Sequence, residues 1–391
     1  MGIPTELSEV YSDLRSWLID DALSLWWEKG GDRAKGGFFE LIDQAGNVIE
    51  APRRTRLVGR QIFAYAKAGR AGWTGPSTEI VGHGVTFLLE RCLAPAGVFY
   101  SAVEPDGTPI RPDFDLYDQA FALFGLAAAV GLHDDPVRLK TVARTVRESM
   151  VACWKHPVAG FEESMPRTLP LKANPHMHIL EACLAWIEAG PLEGDRGWDT
   201  LANEIAELCL SRFLHPKTGA LREFFDGQWN TMAGEKGRII EPGHQFEWAW
   251  LLKRWGKLHH RCDAIAAGQR LVDIAETYGV EDQRGIAFNE LWDDFSIKDD
   301  DARLWPQTER LKAWLAMADI AETEAKRQAA FIKAATAARG LMKYFATDIP
   351  GLWHETMRRD GSFIPSEARA SSLYHVMCAF DQLQGAVDKY A

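Results

Sequence analysis

Two histidine–glutamate pairs in the sequence share the same spacing. His178 precedes Glu181 by three positions and His244 precedes Glu247 by three, which puts each pair on one face of a helix. A carboxylate placed one turn away can orient an imidazole and raise its basicity, as a general base for proton transfer requires. One such pair could simply satisfy two buried polar groups. Two pairs together with His375 favour a site that moves protons.

These histidines belong to a repeating pattern. About two dozen residues before each of them, a glycine opens a short stretch rich in aromatic and acidic residues. The glycines are Gly37, Gly97, Gly160, Gly219, Gly285 and Gly351, spaced 60, 63, 59, 66 and 66 residues apart. The residues found about two dozen positions after these glycines are Arg60, Tyr117, His178, His244, Trp305 and His375. A nearly constant period predicts one supersecondary unit used six times, with these six side chains converging if the units close into a ring.

Helical periodicity of apolar residues dominates the stretches between the glycine segments. It predicts about twelve helices, near residues 6–28, 57–70, 76–93, 115–131, 136–154, 174–190, 196–214, 244–257, 261–278, 305–322, 325–346 and 370–388. Short and long links alternate, and the helices after long links are the more apolar ones. The pattern predicts an all-α (α/α)6 barrel with an inner and an outer ring, and short β-hairpins in the long loops.

The six marked residues lie at or near the N-terminal ends of the predicted inner helices. Unpaired backbone N–H groups and the helix dipole favour negative charge there, so an enediolate or carboxylate would be stabilised. Asn174, Gln307 and Glu309 are further polar candidates at these ends. We therefore expect the active site at the end of the barrel that carries the long loops.

Bulk composition narrows the class of protein. The chain has 391 residues and a net charge of −11 without a block of like charges, which disfavours nucleic acid and anionic membranes as partners. Six scattered cysteines without a CxxC pair, and an N-terminus unlike a signal peptide, predict a cytoplasmic protein. The repeat leaves no room for a second core, so residues 1–391 are expected to form a single catalytic domain. The sequence leaves open whether it forms a homodimer.

The sequence lacks the motifs that several other kinds of active site require. His178, Glu181, His244 and Glu247 could together bind a divalent ion, but the histidines lie in different repeats and no close histidine pair on one helix face supports them. We expect no metal and no cofactor. Neither phosphate-loop pattern nor a GxSxG nucleophile motif occurs.

Seven segments in order along the chain resemble the N-acylglucosamine 2-epimerase family. They are GGFFELID, GRQIFAYA, LYDQAFALFGLAA, NPHMHILEA, EPGHQFEWAWLL, WPQTERLKA and SSLYHVMCAF. The resemblance implies an (α/α)6 barrel and metal-independent proton transfer at C2 of an aldose through a cis-enediol.

The same resemblance implies a role for individual residues. His244 and His375 match the catalytic pair, and Glu247 matches the carboxylate that supports the first histidine. Arg60 matches an arginine at the substrate oxygen and Trp305 an aromatic wall. Tyr117, Asn174 and His178 match substrate-binding residues.

The expected reaction is interconversion of D-mannose and D-fructose. A 2-epimerase acting on N-acylglucosamine or another aldose is an alternative, because a small shift of the second histidine decides where the proton returns. Mannose 6-phosphate is another possible substrate, because several cationic residues in or beside the long links could clamp a phosphate. They are Arg54, Arg56, Arg111, Lys172, Arg238 and Arg303. A glycoside hydrolase of this fold, using Asp113, Asp115, Glu247 or Glu309, is the alternative from another class.

Overall fold

The computed structural model describes residues 2–390, and twelve long helices dominate this range. In chain order they are α1 (Thr5–Ser16, continued by a π-helical segment Trp17–Ala22 and by Leu23–Glu28), α2 (Thr55–Ala71), α3 (Ser77–Phe87, continued by Leu88–Cys92), α4 (Leu116–Ala129), α5 (Pro136–Cys153), α6 (Ala173–Ala189), α7 (Gly197–Leu208, continued by Cys209–Phe213), α8 (Pro242–Leu258), α9 (Cys262–Tyr278), α10 (Trp305–Asp319), α11 (Glu324–Met342, ending in the 3-10 turn Lys343–Phe345) and α12 (Ala370–Tyr390). The twelve predicted helices are confirmed. The sequence did not predict the single turn Glu235–Arg238, which lies in the loop before α8.

The even-numbered helices form a closed inner ring. Each packs beside the next, and α12 returns to α2. The odd-numbered helices cover the outside, with α1 lying against α11 and α12. Glycine allows α2 and α4 to approach closely, since a Cβ on Gly125 would lie 2.6 Å from the carbonyl oxygen of Gly59. The predicted (α/α)6 barrel is thus confirmed, and no helix within residues 2–390 is long and apolar enough to cross a membrane.

Short antiparallel strands line the loop end of the barrel. They are β1 (Leu41–Ile42), β2 (Val48–Ile49), β3 (Arg53–Arg54), β4 (Ala102–Val103), β5 (Pro109–Arg111), β6 (Leu171–Lys172), β7 (Phe224–Phe225), β8 (Val280–Glu281), β9 (Ile286–Ala287), β10 (Glu290–Leu291), β11 (Ile297–Asp299), β12 (Ala302–Arg303), β13 (Thr356–Met357) and β14 (Ala368–Arg369). The pairs β1–β2, β4–β5, β8–β9 and β10–β11 are hairpins within a loop, as predicted. The pairs β3–β4, β6–β7, β12–β13 and β14–β1 join different loops, which the sequence did not predict. In each of these four pairs, the strand that precedes an inner helix is therefore hydrogen bonded to a strand in the loop of a neighbouring unit.

Side chains from the inner helices hold the backbone just after four of the six repeated glycines. Gln245 accepts a hydrogen bond from the Leu221 N–H at 2.8 Å and donates to the Leu221 carbonyl at 3.2 Å. Gln119 holds Phe99 and Gln307 holds Ala287 in the same way. His176 takes this position in its own repeat, where its Nε2 accepts from the Phe161 N–H at 3.0 Å.

The six repeated glycines themselves have φ values between +71° and +90°. Residues with a Cβ rarely adopt this conformation, which explains why glycine recurs at the period found in the sequence. In these four repeats the glycine turn and the side-chain clamp together set the start of the long loop.

We expect Gln245→Leu to lower the free energy of unfolding by about 3 kcal/mol, because it leaves a buried N–H and a buried carbonyl of Leu221 without partners. Urea denaturation followed by circular dichroism measures the change. Gln269→Leu, on the outer helix α9, is the control and should alter stability little. Equal stability of the two variants would contradict the proposed clamp.

Candidate active site

Most of the predicted site residues meet at the N-terminal ends of the inner helices, in two adjoining groups. In the first group, the Trp305 ring lies 5.0 Å from the His244 ring and 5.8 Å from the His375 ring. In the second, the Tyr117 ring lies edge-on to His178 at 5.0 Å, and the Tyr117 hydroxyl accepts a hydrogen bond from Arg60 at 2.7 Å. The indole of Trp305 thus forms an apolar wall beside the two predicted catalytic imidazoles.

His244, the third residue of α8, is hydrogen bonded to a carboxylate from the preceding loop. Its Nδ1 lies 2.8 Å from Oε2 of Glu223, and Glu241 lies 3.8 Å away. Burial opposes protonation, but the carboxylates of Glu223 and Glu241 prevail and raise the pKa of His244 to about 10. His244 is therefore an imidazolium at neutral pH.

Glu223 was missed in the sequence and Glu247 was expected in its place. Glu247 makes no hydrogen bond to His244, and its Oε1 lies 4.0 Å from Nδ1 of His178 instead. The sequence did contain a signal for Glu223. Five of the repeated glycines are followed, three or four residues later, by a carboxylate or amide side chain that is buried or nearly buried. These residues are Glu40, Glu163, Glu223, Asn289 and Glu355.

His375, in the second turn of α12, has its own carboxylate. Its Nδ1 lies 2.9 Å from Oε1 of Glu309, and the other oxygen of Glu309 forms an ion pair of 2.6 Å with Lys312. Burial, followed by the positive charges of Arg60 and Lys312, lowers the pKa of His375 well below its usual value. His375 is therefore neutral, so the two imidazoles carry opposite protonation states. Glu309, expected to bind substrate, instead orients this histidine.

A third pair follows the predicted spacing. Nδ1 of His178 lies 3.0 Å from Oε2 of Glu181, and the Tyr374 hydroxyl donates to the same carboxylate at 2.6 Å. Burial lowers the pKa of His178 despite the carboxylate beside it. A neutral imidazole that donates from Nδ1 to this carboxylate can accept one hydrogen bond from a substrate hydroxyl at Nε2.

Glu247 lies between the His178 and His375 pairs. Burial and the neighbouring Glu309 raise the pKa of Glu247 well above its usual value. Lys312 is fully buried beside these carboxylates. Its Nζ lies 2.6 Å from Glu309 and 4.0 Å from the centre of the Trp250 ring. Its ammonium offsets the negative charge of the buried carboxylates beneath the site.

Arg60 is a buried cation without a carboxylate partner within residues 2–390. Its guanidinium lies 3.9 Å from the Phe121 ring centre and its Nε has no hydrogen-bond partner. An unpaired buried guanidinium is costly unless an anion binds to it. This arrangement suits an oxyanion that develops during reaction.

The other polar residues singled out in the sequence differ in whether their side chains are already hydrogen bonded. Asn174 has a buried Oδ1 without a hydrogen-bond partner, which leaves it free for a ligand. The Gln307 amide is occupied by the backbone of Ala287 and Arg303, so it positions the loop and does not fit its expected role in substrate binding. Asp115 accepts hydrogen bonds from the backbone N–H groups of Tyr117 and Asp118 and caps α4.

Comparison with known proteins shows the family of this chain. The model of the N-acylglucosamine 2-epimerase family matches residues 37–379. The chain belongs to the N-acylglucosamine 2-epimerase family. A mannose-6-phosphate isomerase of Rhizobium meliloti (strain 1021) is 43% identical over the full length of both chains. The D-mannose isomerase of Thermobifida fusca is 27% identical over 61% of each chain.

A solved structure extends the likeness of this epimerase-family chain to the whole fold. The cellobiose 2-epimerase of Spirochaeta thermophila DSM 6192 superposes with a TM-score of 0.84 and covers 99% of both chains at 22% identity. At that identity the superposition shows the barrel alone. Family membership and the relatives together make the chain a sugar isomerase or epimerase.

We expect Lys312→Met to lower the free energy of unfolding by about 3–5 kcal/mol, because it leaves a buried carboxylate without its cation. Chemical denaturation monitored by tryptophan fluorescence measures the loss. The control is Lys326→Met, whose solvent-exposed ion pair with Glu322 should contribute little to stability. A Lys312→Met protein as stable as the control would show that the ammonium does not balance the buried carboxylates.

Proposed function

We propose that the protein is an aldose–ketose isomerase acting on a sugar of mannose configuration, with His375 and His244 as its base and acid. One observation carries the proposal: two imidazoles beside one indole are each held by a buried carboxylate, and their pKa values are shifted in opposite directions. Opposed shifts in adjacent titratable groups are typical of an acid–base pair. Both groups are then in the protonation state that the reaction needs at neutral pH.

The reaction begins when neutral His375 removes the proton from C2 of the open-chain aldose. The electron pair moves to the carbonyl, and Arg60 stabilises the negative charge that develops on O1. A cis-enediol forms when the protonated His375 returns this proton to O1. His244, as the imidazolium, then delivers a proton to C1. The neutral His244 takes the proton of the O2 hydroxyl as the C2 carbonyl forms, which gives the ketose and restores both histidines. Delivery to the opposite face of C2 would give the epimer instead.

The relatives favour isomerisation of a mannose-type sugar. The relative with 43% identity over its full length is named for mannose 6-phosphate, and D-mannose isomerases occur among the more distant ones. The relatives named as N-acylglucosamine 2-epimerases are 22–26% identical over about 60% of their length. We therefore rank the ketose-forming reaction above 2-epimerisation.

The geometry bears on two other expectations, a glycoside hydrolase and a metal ion in the site. Two of the four carboxylates considered for a glycoside hydrolase are engaged elsewhere, since Asp115 caps α4 and Glu309 holds His375. The site contains three clusters, each of one histidine and two glutamates, whose possible ligand atoms lie close enough together to share an ion. The ammonium of Lys312 already supplies a cation to the group formed by Glu247, Glu309 and His375. This supports our proposal of a metal-independent reaction.

We also propose that the described barrel acts as one catalytic domain in the cytoplasm. The ring closes by packing of α12 on α2, which joins the first and last repeats. All six cysteines are free thiols.

Turnover in deuterated buffer tests the reaction. We expect the ketose to form from mannose or mannose 6-phosphate with solvent deuterium incorporated into the sugar, detected by NMR, because the abstracted proton exchanges on an imidazole. His244→Asn and His375→Asn should each lower kcat by about 10²–10⁴-fold. His260→Asn, at an exposed position outside the site, is the matched control. Activity should survive treatment with EDTA.

Three outcomes would contradict this mechanism. Complete retention of the C2 hydrogen would favour a hydride shift. Loss of activity with EDTA, restored by one metal ion, would refute the metal-independent reaction. Formation of the 2-epimer in place of the ketose would make the chain an epimerase.

The pH profile of kcat/KM tests the assignment of acid and base. His244 must be protonated and its pKa is about 10, so we expect the rate to fall as pH rises through about 10. His375 stays neutral down to well below pH 6.5, so lowering the pH to 6.5 should not remove the base. Glu223→Gln removes the carboxylate that raises the pKa of His244, and the alkaline fall should move to lower pH.

The exposed Glu193→Gln is the control for this shift, since it removes a carboxylate outside the site. An alkaline limb at the same pH in Glu223→Gln and in the control would remove His244 from the role of acid.

A further inference from the structure

A cationic cavity lies at the mouth of the barrel, above the helices that carry Arg60 and His375. It measures about 440 Å³ and lies between the β14–β1–β2 and β3–β4–β5 sheets. Three arginines line it, namely Arg54, Arg111 and Arg369. Two carboxylates, Glu40 and Glu367, also face it, and so the cavity keeps a net positive charge in a chain whose own net charge is −11.

Ion pairing separates Arg111 and Arg369 from the other cations considered as phosphate ligands. Arg54 is paired with Glu40. The remaining four are also bound to carboxylates, in the pairs Arg56–Asp118 at 3.4 Å, Lys172–Glu163 at 3.2 Å, Arg238–Asp293 at 2.9 Å and Arg303–Glu241 at 2.8 Å. The side chains of Arg111 and Arg369 have no ion pair or hydrogen bond within residues 2–390. The sequence analysis included Arg111 among the possible phosphate ligands but not Arg369.

Arg54 connects the cavity with the active site. In the strand β3 its neighbour Arg53 is fully buried against Asp32, and alternation along the strand turns Arg54 to the opposite side. There it forms an ion pair with Glu40, which holds its guanidinium in place. Against the effect of burial, Glu40, Asp118 and the active-site Tyr117 raise the pKa of Arg54.

The distances along the helices suit a phosphorylated hexose. Arg54 and Arg369 each stand six positions before a site residue, Arg60 on α2 and His375 on α12. Six residues correspond to roughly 9 Å along a helix axis, which is on the order of the separation between the reacting carbons of a hexose and a substituent on C6. Because α2 and α12 are neighbours in the ring, both arginines lie on the same side of the mouth.

We propose that Arg54, Arg111 and Arg369 bind the phosphate of a hexose 6-phosphate whose C1 and C2 lie at Arg60 and His375. Guanidinium groups bind phosphate through paired, charge-assisted hydrogen bonds, and two of these arginines have no protein partner to give up. The inference rests on the proposed isomerase function and makes the phosphorylated aldose its substrate.

Binding of a substrate analogue tests the cavity without turnover. A hexitol 6-phosphate has no carbonyl and cannot be isomerised, so calorimetry reports its affinity alone. We expect Arg111→Gln and Arg369→Gln each to weaken its binding about tenfold or more. Affinity for the unphosphorylated hexitol should not change. Arg138→Gln, an exposed arginine on the outer helix α5, is the matched control.

Steady-state kinetics supply the second measurement. In Arg111→Gln and Arg369→Gln, kcat/KM for mannose 6-phosphate should fall about tenfold or more, whereas kcat/KM for mannose should stay within about twofold of the parent protein. An equal fall for both sugars would overturn the proposal, because it would show a general structural effect.

The two measurements distinguish failure of this inference from failure of the proposed function. Unchanged affinity for the hexitol 6-phosphate in the double variant Arg111→Gln and Arg369→Gln would overturn the phosphate site even if isomerisation is observed. Loss of that affinity would support the site even if no tested sugar is isomerised, in which case the isomerase proposal alone would fail. Inorganic phosphate, titrated in parallel, should compete with the hexitol 6-phosphate at the same arginines.

Discussion

Four of the six long loops are hydrogen bonded to a side chain near the N-terminus of an inner helix, and the site depends on this attachment. Gln119, His176, Gln245 and Gln307 hold the backbone that follows the repeated glycine. A few residues later the same loop presents a polar side chain to the helix, as Glu223 does to His244. Short loop strands would have little stability alone. Attached in this way, they place a carboxylate within hydrogen-bond distance of an imidazole from a different element.

Two similar histidine–carboxylate pairs differ because of the charges around them. His244 lies near two carboxylates, those of Glu223 and Glu241, and both favour the imidazolium. The carboxylate of His375 is shared with Lys312, and Arg60 adds a second positive charge. The hydrogen bond to Nδ1 orients each ring, whereas the surrounding charges decide its protonation state. The fold can therefore build an acid and a base from the same residue type.

Much of the architecture could be predicted from the sequence, because it follows from local patterns. Apolar periodicity predicted the twelve helices, and the glycine period predicted the six-fold ring. The partner of His178 was also correct, since this residue lies in the second turn of α6, where a glutamate three positions later can reach it. These features depend on residues that are close together in the chain.

The errors concern contacts between distant segments. His244 is only the third residue of α8, so a carboxylate from the loop lies closer to its ring than Glu247 does, one turn further into the barrel. Gln307 had the residue type of a substrate ligand, but its amide is bound to the backbone of Ala287, 20 residues earlier, and to the carbonyl of Arg303. The pairing of β14 with β1 joins segments at opposite ends of the sequence, and no local pattern reports it.

Closure of the ring by β14 on β1 and by α12 on α2 gives every repeat two neighbours. An open array of helical pairs has end repeats that contact one neighbour only, and such arrays need capping units to protect them. A toroid has no end repeat from which fraying could start. Opening it at any junction exposes two apolar faces at once, so all six units are expected to melt in one cooperative transition.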